Sequence, residues 1–435
     1  MLYGKMNGKQ YRDPCLSLTK RLFQETINMD DFGNFKEPTL SLRDIGDLVR
    51  RTDSFTVCGP PEPGINVRQM IEKVGKRVSR FVELKGPGLL SPDEIRELKR
   101  AALAHDKVIV ASYHEMEIAG QLREACRLAY YRDYLFFDHV QMALDGIHLD
   151  SFGRIFYDFL QEYKEEFTRA FALLEDSYSR ETYEKVIRMR VYLFNPELIP
   201  LSSLPTPPEV QWRYESEAAM YLHQIPSVVP EPLRRNIAFK ISLNPCGYFD
   251  IVTPRNKSVI IDIGAYNNTS PMFAYYSPHG TIYAFEPQDE IYRCNVELAK
   301  VYPNIRPIKA GAWSVTGSVA FDIRDCLLGG TAGSHVSAQG TSKIEVCALD
   351  DFVSRHNVGP VDFIKIDAEG AEIEVLKGAR DTIARYKPDL AVSLYHEPEH
   401  LFRIPFLIKE LYDGYKIYVS HKYFNATETT CFASA

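Results

Sequence analysis

The sequence predicts an α/β protein in which two parallel-sheet domains are joined by a helical stretch. Three observations carry this. Strand-like runs alternate with amphipathic helical runs over about residues 50–145, a helix-only stretch begins near Gly146, and a second alternation runs from about Gly247 to Ala435. A chain of 435 residues is long enough for two or three such cores. Its 45% hydrophobic and 25% charged content is that of a soluble globular protein.

The formal charge of −7 is spread along the chain and no long basic run occurs, which argues against a nucleic-acid partner. The opening residues lack the apolar core of a signal peptide, and no apolar run approaches the ~20 residues of a spanning helix, so no membrane association is expected. Eight cysteines (Cys15, Cys58, Cys126, Cys246, Cys294, Cys326, Cys347, Cys431) are scattered without a CxxC pair. They read as reduced thiols of a cytoplasmic protein, with neither a disulfide frame nor a zinc site.

Residues 1–49 mix charge, turn formers and helical patches and receive no firm element. "SFTVCG" reads as a strand running into a Gly/Pro loop, with helical spacing over 67–76. Gly59 and Gly64 in that loop are separated by prolines, a weak phosphate signal more simply read as a turn. "RVSRFVEL", "KVIVAS" and "DYLFFD" read as further strands. Between them "SPDEIRELKRAALAHD" is a helix with Ser91 as N-cap, Pro92 at its first position and acids in the first turn, and "EMEIAGQLREACRLAYY" is a second helix. Aromatic and aliphatic residues at three- and four-residue spacing over 152–194 read as packing stripes. Residues 196–209 are a Pro/Ser linker or long loop.

The chemistry lies in the last segment. In "SVIIDIGAYNNTS" an apolar strand ends at Asp262, and Gly264 follows at once. "SPMFAYYS" is the helix behind this loop, and the strand "GTIYAFEP" ends at Glu286, 24 residues after Asp262. An acid at that strand tip accepts hydrogen bonds from a ribose diol, as dinucleotides and S-adenosyl ligands both require. A pyrophosphate needs bare backbone and three glycines, and here Ala265, Tyr266, Asn267 and Asn268 follow Gly264. S-adenosylmethionine has no phosphate, and Asp262, Gly264, the loop amides, Thr269 and Ser270 fit its needs. In such a loop Asn267 or Asn268 is expected to hold a left-handed turn. Further on, the strand 361–366 runs into Asp367, Glu369, Gly370 and Glu372, where helix capping accounts for some of the acids and a ligand site for the rest. "DLAVSLYHEPEH" supplies a strand ending at His396 and Glu397, with His400 one turn on. His396 is a general-base candidate, and the same His/Glu/Asp set offers metal ligands without a regular spacing, so acid–base work is preferred and no metal is expected.

The runs "VIIDIGAYNNTS", "IYAFEPQDEIYRCNVELA", "VCALDDF", "VDFIKIDAEGAEIEVLKGA" and "YKIYVSHKYFNATETTCFAS" together resemble the FkbM-type methyltransferases over about residues 248–435. The preceding α/β domain and "LLEDSYSRETYEKVIRMR" look like the N-terminal extension of some bacterial members. The resemblance implies a class I methyltransferase-like, doubly wound seven-stranded sheet with an antiparallel last strand. It also implies S-adenosyl-L-methionine as donor and a hydroxyl acceptor on a sugar or other metabolite. By position it puts Asp262 and Gly264 on the first cofactor motif, Glu286 with Pro287 on the ribose acid, and Ala312 and Trp313 near the adenine wall. Asp367 and Glu369 fall on its D-x-E-G block. Members read G-A-N-x-G in the first loop, where this chain has G-A-Y-N-N.

The expected division is 1–49 unassigned, 50–145 a small Rossmann-like α/β domain, 146–246 a helical connector with a Pro-rich loop, and 247–435 the methyltransferase domain. The site expectation is catalysis by His396 or Asp367 as base, helped by Glu369. Cofactor contacts are expected from Asp262, Gly264, Ala265, Tyr266, Asn267, Thr269, Ser270, Glu286, Pro287, Ala312 and Trp313. The rival readings are a binding module that has lost the cofactor and a nicotinamide-dependent oxidoreductase, which the missing glycines oppose. A homodimer is a further expectation.

Overall fold

The computed structural model describes residues 35–84, 90–104, 106–112, 115–146, 149–193, 217–242, 248–323, 334–337, 340–421 and 428–435. The expected linker at 196–209 and most of the unassigned N-terminal segment lie outside them. Strands β1 (Ser54–Gly59), β2 (Arg77–Glu83), β3 (Lys107–Val110) and β4 (Tyr134–Phe136) form an all-parallel sheet in the order β2-β1-β3-β4. The anticipated Gly/Pro loop after β1 is instead a helix, Pro61–Lys73, because proline at a first turn has no helical N–H to lose. The helix Pro92–Leu103 starts as expected, with a capping box between Ser91 and Glu94. Residues that the sequence left unassigned form the helix Leu42–Arg51, which buries Leu42, Ile45 and Val49.

Three helices follow: Gly153–Glu162, Lys164–Leu173 and Ser177–Tyr192. The last is capped by Asp176, whose side chain accepts from Ser179 N at 2.7 Å. Their aromatic stripe packs against the C-terminal domain. The Phe402 ring stacks on Tyr163 at 5.7 Å and on Phe159 at 6.1 Å, and meets Phe167 edge-on at 5.2 Å. The backbone joins too: Glu175 N donates to Ile417 O at 2.9 Å.

The C-terminal part opens with β5 (Val259–Ile263), β6 (Thr281–Phe285) and β7 (Ile305–Ile308). It continues through β8 (Gly311–Ala312), β9 (Gly317–Asp322), β10 (His335–Val336) and β11 (Ser342–Cys347). It ends with β12 (Phe363–Ile366), β13 (Asp389–Ser393), β14 (Lys416–His421) and β15 (Thr429–Ser434). Seven of these form one sheet in the order β14-β15-β13-β12-β5-β6-β7, with β15 antiparallel to both neighbours. That is the arrangement the resemblance implies. Strands β8 to β11 form a separate sheet, β10-β9-β11-β8, which the sequence reading did not foresee.

Period-two alternation divides the large sheet between two cores. Ile261, Ile263, Ile364, Ile366, Leu390 and Val392 join a core shared with the connector helices. Ile260, Ile282, Phe363, Ala391 and Phe432 face a second core with Phe249 and Phe273. Among the described residues no helix is long and apolar enough to cross a membrane. The five described cysteines, Cys58, Cys126, Cys294, Cys347 and Cys431, form no disulfide.

Because Phe402 carries the connector's aromatic cluster, Phe402→Ala is expected to cost about 3–5 kcal/mol, the range for truncating a buried aromatic. Chemical denaturation followed by circular dichroism measures it.

Candidate active site

The C-terminal tips of β5, β6 and β12 open into a cleft of about 550 Å³, counting the solvent at its mouth. Open α/β sheets bind ligands at this end. Of the residues singled out from the sequence, Gly264, Glu286, Pro287, Ala312, Asp367 and Glu369 line it. The small sheet closes the apolar side with Phe321, Val336, Ile344 and Val346.

Glu286 follows β6 directly and is 4% exposed. Its Oε1 accepts from Gln288 N at 2.9 Å. Burial nevertheless pushes its pKa up to about 7, against the pull of the Gln288 and Tyr266 amides and of Lys365. A carboxylate held so short of partners suits a ligand that brings hydroxyl donors.

The first loop differs from its sequence reading in three ways. The left-handed residue is Tyr266, at φ +45°, while Asn268 has φ −135° and precedes the helix Thr269–Tyr276 without a side-chain cap hydrogen bond. Asn295 Nδ2 donates to Tyr266 O at 2.6 Å and fixes that peptide. The Thr269 and Ser270 hydroxyls, expected to face a ligand, are spent internally: Thr269 Oγ1 donates to Ala265 O and Ser270 Oγ to Asp262 Oδ2, both at 2.6 Å. Asp262 lies within β5, fully buried, and with Ala265 stays behind the cleft wall. Tyr266 and Asn267 are half-buried and are not among the residues that line the cleft, and Asn267 Oδ1 is a buried acceptor without a hydrogen-bond partner. Gly264 has φ +68°, and a Cβ there would sit 1.7 Å from Asp367 O, so glycine lets the β5 and β12 tips touch. Trp313 is not on the cleft wall; its backbone N–H donates to Cys347 O at 3.1 Å.

Lys365, unremarked in the sequence reading, ties these tips together. Its ammonium is 1% exposed and donates to Gly264 O at 2.6 Å and Ile263 O at 3.0 Å. It lies 3.3 Å from Asp262 Oδ1 and 3.9 Å from Asp367 Oδ2. The available signal was register, since a lysine and an aspartate interrupt two apolar strands and pair directly, Lys365 opposite Asp262.

Asp367 is saturated with donors. Tyr248 Oη donates to Oδ2 at 2.7 Å, and Ser393 Oγ and Tyr395 Oη donate to Oδ1 at 2.8 and 3.0 Å. Burial opposes its charge, but Lys365, His396 and these hydroxyls outweigh it and hold the carboxyl well below its usual range. His396 lies three residues beyond β13, which ends at Ser393 rather than at His396 as expected. Its Nδ1 is 2.8 Å from Glu372 Oε1, and its Nε2 is 3.4 Å from Glu369 Oε2 and 3.6 Å from Asp367 Oδ1. Burial disfavours the imidazolium, yet the Glu372 and Glu369 charges prevail and raise its pKa well above the ordinary value. Glu372, fully buried, also accepts from Ala368 N at 2.7 Å and lies 3.3 Å from His400 Nδ1. Burial pushes His400 down to about 4, so it is neutral. Glu369 stands at φ +51° with its side chain 37% exposed, at the mouth.

Asp367, Glu372 and His396 gather donor atoms within 4.8 Å, a spacing compatible with a metal. Both Asp367 oxygens and Glu372 Oε1 already accept hydrogen bonds, so the cluster is built first as a hydrogen-bonded acid–base group.

Strand order, antiparallel last strand and cleft position define the class I methyltransferase fold. Residues 262–417 match the family model described as "Methyltransferase FkbM domain". The hexuronic acid methyltransferase AglP of Haloferax volcanii is 28% identical over 126 residues, 29% of this chain and 51% of that protein. The match therefore spans about half the length of this curated relative. The crystal structure of methyltransferase FkbM from Methylobacillus flagellatus KT superposes with a TM-score of 0.54 at 16% identity, covering 97% of this chain and 98% of that one. At that identity the likeness is one of fold.

The Glu286 charge makes a stability prediction. Below its ordinary pKa of 4.5 the group is neutral in both folded and unfolded chains. Between there and about 7 the folded protein keeps a proton that the unfolded chain releases, so stability falls as pH rises through this window. Glu286→Gln removes the penalty and is expected to melt higher than wild type at pH 8 and alike at pH 4.

Proposed function

We propose that the chain is an S-adenosylmethionine-dependent O-methyltransferase acting on a hydroxyl of a sugar or other small metabolite. The observation that carries the reading is one cleft lined by a buried, partner-poor Glu286 at one strand tip and by Asp367 and Glu369 at another, with buried His396 packed behind these two acids. The sugar-acid substrate class named for the Haloferax volcanii relative supports a glycan or sugar acceptor. S-adenosylmethionine fits the residues present: Glu286 lacks the donors a ribose diol brings, and the buried Asn267 Oδ1 lacks the donor an ammonium brings. The bound cofactor supplies a methyl group already activated by a sulfonium. The protein's remaining tasks are alignment and removal of the acceptor's proton.

His396 is the base in this reading. Glu372 holds Nδ1 and so directs Nε2 toward the cleft side, where Glu369 stands ready to accept a hydrogen bond from a substrate hydroxyl. Asp367 is an anchor, because three hydroxyls occupy its oxygens and its low pKa makes it a weak proton acceptor. The raised pKa of His396 sets the pH dependence, for the neutral imidazole grows as pH rises, and turnover rises with it.

Isothermal titration with S-adenosylhomocysteine tests the cofactor half of the reading. Wild type is expected to bind, and Glu286→Gln to bind at least about tenfold more weakly through the lost diol contacts; no heat with wild type would favour the binding-module alternative. A screen of methyl hexosides and uronosides, read by mass, tests the acceptor half. On any acceptor found, His396→Asn should lose at least about a hundredfold in turnover together with the alkaline rise.

A further inference from the structure

Two polar side chains reach from the connector into the segment that carries His396. On the helix Ser177–Tyr192, Tyr183 and Arg190 are seven residues apart and share a face. Tyr183 Oη donates to Leu401 O at 2.9 Å, and Arg190 Nη2 donates to Tyr395 O at 2.9 Å. Both side chains are fully buried. The guanidinium faces the rings of Phe152 at 5.3 Å and Phe156 at 5.7 Å. Burial lowers its pKa to about 10, partly offset by the Glu397 charge, so it stays cationic at neutral pH.

Arg190 is a costly way to fill this space. Its Nε and Nη1 have no hydrogen-bond partner, and an apolar side chain of similar volume would leave no donor unpaired. Packing alone therefore does not account for an arginine here. Its one strong bond grips the carbonyl of Tyr395, the residue immediately before His396, whose own hydroxyl donates to Asp367. The rings of Tyr395 and His396 lie 4.1 Å apart, so movement of one carries the other.

We infer that Arg190 is a positioning residue for His396: from the connector helix it fixes the Tyr395 carbonyl and thereby seats the imidazole against Glu372. The inference rests on His396 serving as base in the proposed reaction, and it gives the N-terminal part of the chain a role in the chemistry. Six charged or titratable groups bear on His396: Asp367, Glu369, Glu372, Glu397, His400 and Glu428. Arg190 acts on His396 through the backbone of the segment these groups surround.

The test is an NMR titration of the histidine ring signals in the full chain, with His396 assigned by the signal that His396→Asn removes. In Arg190→Met the seating against Glu372 loosens, and the proton affinity of His396 is expected to fall at least about threefold, half a pH unit. Arg190→Lys keeps the charge without the planar fork and should show a shift of the same sign. S-adenosylhomocysteine affinity, measured by calorimetry, should stay within about twofold in both, because neither touches the cofactor side. A lower melting temperature with an unchanged His396 titration would make Arg190 a structural residue only and overturn the inference. Should Arg190→Met fail to fold, Arg190→Lys decides: a wild-type titration overturns the inference and a lowered one supports it. Failure of the wild type to bind S-adenosylhomocysteine sinks the methyltransferase reading instead, and leaves the coupling of Arg190 to His396 to be judged by the titration.

Discussion

The cleft depends on one buried ammonium. Lys365 stands where two parallel strands end, and its Nζ draws the Ile263 and Gly264 carbonyls, Asp262 and Asp367 toward one point. Taking a lysine out of water is costly, and only a full set of acceptors offsets it. Those acceptors belong to the tips of both β5 and β12, so satisfying the lysine also sets the distance between them. Gly264 completes the arrangement by leaving no Cβ between its own backbone and the Asp367 carbonyl. Without the clamp, Asp262 and Asp367 would face each other across the seam as like charges.

Around this clamp the charges are sorted by what surrounds them. Asp367 has hydroxyl donors from Tyr248, Ser393 and Tyr395, which stabilise its anion. Glu286 has two backbone donors and little else, and burial leaves its proton on near neutrality. His396 is the converse, a cation maintained by carboxylates despite burial. Three ionisable groups near one another thus rest in different states, the condition under which binding and proton transfer can be divided among them.

Much of this was legible in the sequence. Strand-to-loop transitions at Glu286 and Asp367 are local events, written in runs of apolar residues that stop at an acid, and they fold where the pattern places them, while the first strand runs one residue past Asp262. What was not legible depends on contacts between distant segments. Glu372 looks like one more first-turn acid until the fold brings it against His396. The donors on Asp367 come from positions 248, 393 and 395, and no spacing rule joins them. Tyr266 takes the left-handed conformation that asparagine chemistry suggested for its neighbours, because Asn295, in the helix after β6, holds its carbonyl. The small sheet escaped notice because β8 and β10 have only two residues each, too short to show a period.

The last strand has a consequence for how the domain is made. β15 follows β14 in the chain yet lies between β13 and β14, antiparallel to both. During synthesis, β13 is therefore complete long before its outer neighbour exists, and its open edge carries Leu390, Ala391 and Val392, all fully buried in the finished protein. An unpaired apolar edge is a template for pairing with another chain. Between emergence of Ser393 and of Ser434 the nascent protein thus carries an open apolar edge, as it does earlier between completion of β5 and of its neighbour β12. Ribosome stalling within those residues, or slow docking of β15, would do more harm than a comparable delay in the N-terminal sheet, whose four strands are all in place before residue 137.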